Sequence, residues 1–301
     1  MARAMTETTN WGRWGDDDER GALNLITPDE VLRAAQACRT GTVYSLSLPI
    51  QQSGVPIFDY RGAPKRLTLT SSTDDAMFSS YGAAPGVGAN EDVLVIPSHC
   101  TTHMDALGHV FADDTIYNGH PNAFSSLSGS PKCGIEATGS FAGRAVLLDV
   151  PAHFEVDWLE PGYKVTGDDL EACRVRQDVA VGPGDVLLVR TGWLDLFATI
   201  ERPDDVPFAQ PGLGYDAVDF VRDHDLAVVG ADNAAIECIP FDRDVFLGVH
   251  IELLVRLGVT LLEHLVLAPM ARDRCYEALL CVGALPVTGA TGSPVNPIAI
   301  G

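Results

Sequence analysis

Four stretches of this sequence, residues 144–150, 185–190, 227–230 and 259–263, are apolar almost without interruption. A strand with one face in water alternates apolar and polar residues. These runs of Val, Leu and Ala do not, which predicts strands buried on both faces. Strands of that kind need cover on each side. Helical patterns stand between them at 168–175, 215–223 and 245–257. Further strand-like runs lie at 42–49, 66–70, 92–96 and 278–282. Strands therefore outnumber helices, above all in the first half, and the expected class is mixed α/β with a large sheet rather than a doubly wound fold. Thr27-Pro28-Asp29-Glu30 reads as a helix start, with an N-cap Thr, Pro in the first turn and Glu closing a capping box. That helix is expected to stop near Gly41. Residues 82–90, rich in Gly, Ala and Pro, read as a loop. No repeat, long linker or low-complexity tract divides the chain, so 1–301 is expected to be one domain.

Charge and cysteine content narrow the function classes. The formal net charge is −21, and no Lys/Arg cluster offsets it. Such a surface repels phosphate backbones, so no nucleic-acid partner is expected. The seven cysteines are odd in number and form no C-x-x-C pair, which favours reduced thiols over a disulfide framework. The first ten residues lack the apolar core of a signal peptide, and no apolar run reaches the length of a membrane span. A cytoplasmic protein with no membrane partner is the expectation. There is no G-x-S-x-G elbow and no Walker A loop, and Gly86-Val87-Gly88 lacks the third glycine of a dinucleotide site.

Of eight histidines in the chain, three fall in one eleven-residue stretch, His99-Cys100-Thr101-Thr102-His103-Met104-Asp105-Ala106-Leu107-Gly108-His109. Imidazole plus carboxylate is a ligand set for Zn²⁺ or Mn²⁺. On a regular helix His99 and His103 share a face, but Asp105 points nearly the opposite way. On a regular strand all share a face, yet His99 and His103 stand about 13 Å apart. A tight turn after a strand ending at Pro97 reconciles them, and the small residues Cys100, Thr101 and Thr102 permit one. An isolated H-x-x-x-H is more often an ordinary core or surface pair. The company of Asp105 and His109 favours a site here. Farther on, His250 lies in a helical run ending at Gly258, a C-cap candidate, and Glu263 ends the strand that returns beside it. Alone, Glu263 reads equally well as an ordinary charge at a strand end.

These residues resemble the metal-dependent cyclase family, which includes bacterial kynurenine formamidase and isatin hydrolase. The family signature is close to H-x-G-T-H-x-D-A-x-x-H. Supporting blocks include Trp11-Gly12-Arg13-Trp14-Gly15-Asp16, Tyr117-Asn118-Gly119-His120, Gly230-Ala231-Asp232-Asn233 and Gly289-Ala290-Thr291-Gly292-Ser293-Pro294-Val295. The first resembles an N-terminal arm, about residues 1–26, of the longer members. The resemblance implies a swivelling β/β/α fold. It implies His99, His103 and Asp105 as ligands of a first metal, His250 and Glu263 as completing a two-metal site, and His109 as the catalytic histidine. One position departs: Thr101 stands where the family usually has Gly, which permits a backbone conformation disfavoured for Thr. Asn233 and Glu237 lie in a segment that can approach the site instead.

The implied activity is hydrolysis of a small amide or cyclic amide or ester by metal-activated water. The alternative is a cyclase or dehydratase acting on a polyketide-like carbonyl compound. Trp14, Phe58 and Tyr60 are candidates for an aromatic wall around a ring-shaped substrate, though ordinary packing explains each as well. Cys100 reads as a small residue packing a turn rather than a nucleophile. His120, His153, His224 and His264 read as structural or exposed. Trp11 and Trp14 are large rings in a polar segment that need a surface to cover, and with the resemblance they point to a homo-oligomer, a dimer or tetramer.

Overall fold

A computed structural model describes residues 8–125, 127–202 and 205–301; the first seven residues of the expected arm lie outside them. Among the described residues there are thirteen strands: β1 (Val43–Ser45), β2 (Lys65–Thr70), β3 (Glu91–Val95), β4 (His103–Asp105), β5 (Phe141–Asp149), β6 (Lys164–Val165), β7 (Val186–Arg190), β8 (Gly212–Leu213), β9 (Val228–Ala231), β10 (Thr260–Glu263), β11 (Glu277–Val282), β12 (Gly292–Pro294) and β13 (Ile298–Ile300). Nine of them form one sheet in the order β1-β13-β11-β5-β7-β9-β10-β4-β12. Its middle, β5-β7-β9-β10, is parallel, and antiparallel strands flank it on both sides. The fold is mixed α/β with a large mixed sheet, as expected.

The uninterrupted apolar runs are these four parallel strands. Along β7, Leu187 and Val189 enter one core, and Val186 and Leu188 enter the other. β5 does the same with Val146 and Leu148 against Ala145 and Leu147. Successive strand side chains point to opposite faces, so apolar cover on both sides requires a run that does not alternate. Helices Gly167–Gln177 and Ala217–Asp223 and the helical run Gly248–His250 and Ile251–Leu257 supply buried residues to the first core.

Helix Pro28–Ala35 starts where the capping signal placed it, with the Thr27 side chain accepting from the Glu30 amide at 3.4 Å. It ends earlier than the expected stop near Gly41. The amides of Thr40 and Gly41 donate instead to the Gly301 carbonyl, which leads the chain into β1. β2 and β3 pair only with each other.

The N-terminal arm folds onto its own chain. Trp11 Nε1 donates to the Val255 carbonyl at 2.7 Å, Asn10 Nδ2 donates to that of Leu257 at 2.9 Å, and Arg13 pairs with Asp225 at 2.7 Å. Trp14 packs against the first core. Both rings thus rest against their own chain, and Trp11 stays 40% exposed. At the junction, the Ala22 amide donates to the Gly258 carbonyl at 2.7 Å. Gly258 is the left-handed C-cap of the helical run, at φ +65°, and a Cβ there would run into the Tyr117 ring and Gly21. Gly258→Ala should therefore lower stability by about 1–3 kcal/mol. An unchanged denaturation midpoint would show that the arm is not fixed by this contact.

Candidate metal centre

The centre is built on β4, a short strand that begins directly after the turn expected at Cys100–Thr102. The strand is only three residues long and enters the sheet between β10 and β12. Met104 enters the second core, so His103 and Asp105 face the other way, toward the first. The antiparallel register sets Glu263 opposite His103 and Leu261 opposite Asp105. Leu261 belongs to the first core, so Glu263, two residues on, shares its face with both. Pairing and alternation alone thus bring three chemistry-bearing side chains together. His103 Nε2 lies 3.1 Å from Glu263 Oε2 and 3.5 Å from Asp105 Oδ1.

The helical run over β10 brings His250 to the same point. Its Nε2 is 3.3 Å from Glu263 Oε1 and 3.9 Å from Asp105 Oδ2. The other ring nitrogen, Nδ1, lies 2.6 Å from Glu237 Oε1, and the Glu237 carboxylate also accepts from the amides of Val249 and His250, each at 3.2 Å. Glu237 therefore orients His250, a task that nothing in its local sequence signals. Asn233 lies beside it, donating to the carbonyls of Pro211 and Glu237.

The turn before β4 delivers His99, whose Nε2 is 3.3 Å from Asp105 Oδ1. Thr101, in the glycine position of the signature, has φ +54° and so adopts the left-handed conformation despite its branched side chain. Such a residue carries about 1–3 kcal/mol of strain and needs its surroundings to hold it. Here its hydroxyl donates to the Cys100 carbonyl at 2.7 Å, and its own carbonyl faces His103 Nδ1 at 2.8 Å and His264 Nδ1 at 3.2 Å. The turn after β4 returns His109, whose ring stacks on His99 with centroids 3.8 Å apart. On β12, Gly292 stands opposite Asp105, and a Cβ there would lie 2.6 Å from His99 Nε2.

What converges here is a set of acceptors. With Nδ1 of His103 donating to a carbonyl and Nδ1 of His250 to a carboxylate, each neutral imidazole turns a lone pair at Nε2 toward Asp105 and Glu263. His99 Nε2, His103 Nε2 and both Asp105 oxygens are buried without a hydrogen-bond partner. Asp105, Glu237 and Glu263 are each at most 2% exposed, and among the described residues they pair only with histidines. Buried carboxylates facing lone pairs are costly unless a proton or cation lies between them. Two sets of donor atoms, His99-Asp105-His109 and His103-Asp105-Glu263, each lie within 4.8 Å of one another and share Asp105. The residues fit a divalent ion with nitrogen and oxygen ligands.

The acid–base behaviour follows from the same crowding. In the absence of a cation a proton takes its place on His250: burial pushes the pKa down, but Glu237 and Glu263 outweigh it and raise it to about 10. Burial would raise Glu263, yet His103 and His250 hold it well below the usual carboxylate range. Burial is the main reason that His99 and His109 lie below the ordinary histidine value.

The remaining candidates are dispersed. Phe58 lines a small cavity beside His99, together with Arg61, Thr101 and His264. Tyr60 rests against Phe58 with ring centroids 5.7 Å apart but is 77% exposed. Trp14 is on the arm and does not line the cavity. Cys100 is buried in the turn, and burial pushes its thiol up, away from a reactive thiolate. His264 is buried and structural, as expected, but it also borders the cavity. Neither Arg61 nor His264 carried a signal in the sequence, because only the folded turn brings them together.

With this geometry in view, the comparisons are specific. The family model described as putative cyclase matches residues 44–238. The chain belongs to that family. A crystal structure described as a novel cyclase is 36% identical, covers 98% of each chain and superposes with a TM-score of 0.88. Isatin hydrolase A from Ralstonia solanacearum is 18% identical over 91% of this chain and 97% of its own, with a TM-score of 0.62. A structure described as a potential metal-dependent hydrolase with cyclase activity is 19% identical over 86% of this chain and 98% of its own, with a TM-score of 0.53. The last two likenesses are of fold. No curated protein matches the chain. The family description and the 36% identical structure indicate an enzyme of the cyclase kind.

The geometry makes Glu237 a support for any ion held by His250. Glu237→Gln keeps the shape but removes the charge that orients the imidazole. It should weaken metal binding about 10–100-fold, as read by competition with a chelator; unchanged affinity would mean that Glu237 only closes the helix end.

Proposed function

We propose that this enzyme is a metal-dependent hydrolase that cleaves a small amide or a cyclic amide or ester, with His99, His103, Asp105, His250 and Glu263 holding Zn²⁺ or Mn²⁺. The observation that carries the proposal is the convergence of buried, unpartnered acceptors on β4 and the turn before it. Asp105 belongs to both donor sets, so the arrangement offers ligands for one ion or for two sharing a carboxylate. A bound divalent ion supplies Lewis acidity, which makes hydroxide available near neutral pH and polarises a carbonyl.

The chain's own residues supply the rest. Asp105 and Glu263 provide the negative charge that holds the cation. Glu237 and the Thr101 carbonyl fix the imidazoles of His250 and His103. Phe58 gives a flat wall for a ring. His109, kept neutral by burial, accepts a proton from the attacking water and passes it to the leaving nitrogen. Water adds to the carbonyl carbon, the C–N bond breaks, and a carboxylic acid and an amine result. No helix of the described residues is long and apolar enough to cross a membrane.

The family description supports a second reading, cyclisation or dehydration with the same residues. Product mass separates the two: hydrolysis adds one water to the substrate, whereas cyclisation with dehydration removes one. For the hydrolase reading, His109→Asn should retain metal and lose about 10²–10⁴ in rate. His103→Asn and Asp105→Asn should lose the metal itself. If His109→Asn loses metal and regains full activity when metal is added back, His109 is a ligand and not the proton carrier.

A further inference from the structure

Arg61 is out of place on this chain. Acidic residues number 41 and basic residues 20, yet among the described residues no carboxylate pairs with it. It is half-buried in the cavity wall beside His99, Thr101 and His264. Its position is fixed: Nη1 donates to the His99 carbonyl at 2.6 Å, and the guanidinium carbon lies 5.5 Å from the Phe58 ring centroid and 5.3 Å from that of Tyr60. One edge of the fork is thereby anchored, and the other N–H groups keep their donors. A planar guanidinium held this way matches a carboxylate with two parallel hydrogen bonds. Across the same cavity His264 is 2% exposed, and its Nε2 is buried without a partner. Because His264 Nδ1 faces the Thr101 carbonyl, that Nε2 is an acceptor waiting for an N–H or O–H. The cavity is small, about 10 Å³, so it admits only the polar end of a ligand; to that end it offers a cation and an acceptor beside the Phe58 ring, and among the described residues none uses all three.

We infer that Arg61 is a specificity-determining residue that binds a carboxylate on a planar substrate, so that the substrate class is anionic: a flat acid carrying the bond to be cut. This rests on the hydrolase reading only in taking the cavity as the substrate side of the centre. The anion-repelling net charge of −21 makes such a local cation the decisive element for admitting an acid.

The test uses benzoate and its neutral counterpart benzamide, titrated calorimetrically into the metal-loaded full chain. Elemental analysis and circular dichroism accompany every variant. Wild type should bind benzoate at least tenfold more tightly than benzamide. Arg61→Met should abolish that preference, and Arg61→Lys, which keeps the charge but not the fork, should restore part of it. His103→Asn, which addresses the metal, should keep the preference. No preference in wild type overturns the inference, as does a preference that survives Arg61→Met. So does one lost in His103→Asn, because the carboxylate would then be binding the ion. A wild-type protein that lacks metal but still prefers benzoate through Arg61 refutes the hydrolase reading and leaves the subsite standing.

Discussion

Strand β4 is three residues long, and its register against β10 decides the centre. Set Glu263 opposite His103 and two carboxylates and an imidazole fall on one face, with Met104 locked into the opposite core. A slip of one residue would turn His103 and Asp105 into the apolar core and Met104 toward the centre. The short strand is held by more than its ladder. Thr102, just before it, donates to the His264 carbonyl at 2.6 Å and accepts from the Leu48 amide at 2.9 Å. Pairing with β12 on the other edge sets Gly292 beside Asp105, where a side chain would strike His99.

This construction spends stability on function. A β-branched residue sits at positive φ in Thr101, three carboxylates are buried, and the unpartnered Nε2 atoms of His99 and His103 face Asp105. Each feature is unfavourable alone. Together they make sense around a cation, which turns mutual repulsion into coordination. The two cores on either side of β5, β7, β9 and β10 provide the rigid frame on which such strain can be held.

Much of this was legible in the sequence, for identifiable reasons. The four buried parallel strands announce themselves because burial on both faces removes alternation. His99, His103, Asp105 and His109 lie within eleven residues, so their density is visible without any structure. His250 and Glu263 were suggested by the resemblance to a family, and the helix-then-strand return makes their meeting sterically natural. β4 was hidden because three residues show no periodicity, and β12 and β13 share that fault. The partnership of Glu237 with His250 depends on how one loop meets one helix start, which no local pattern encodes. Arg61, on a loop, and His264, after a strand, gain their meaning from tertiary packing alone. Trp14 was a candidate for a substrate wall only as an aromatic residue, and its own chain packs it against the first core, away from the cavity.

On this reading the acceptors around Asp105 exist to hold a cation. Anomalous diffraction from crystals of protein purified without added metal, measured on both sides of the zinc and manganese absorption edges, tests it most directly. An anomalous peak is expected among the side chains of His103, Asp105 and Glu263, or between His99 and Asp105, and it should vanish in Asp105→Asn. Well-ordered side chains with no peak, after refolding or soaking with either metal, would contradict this reading.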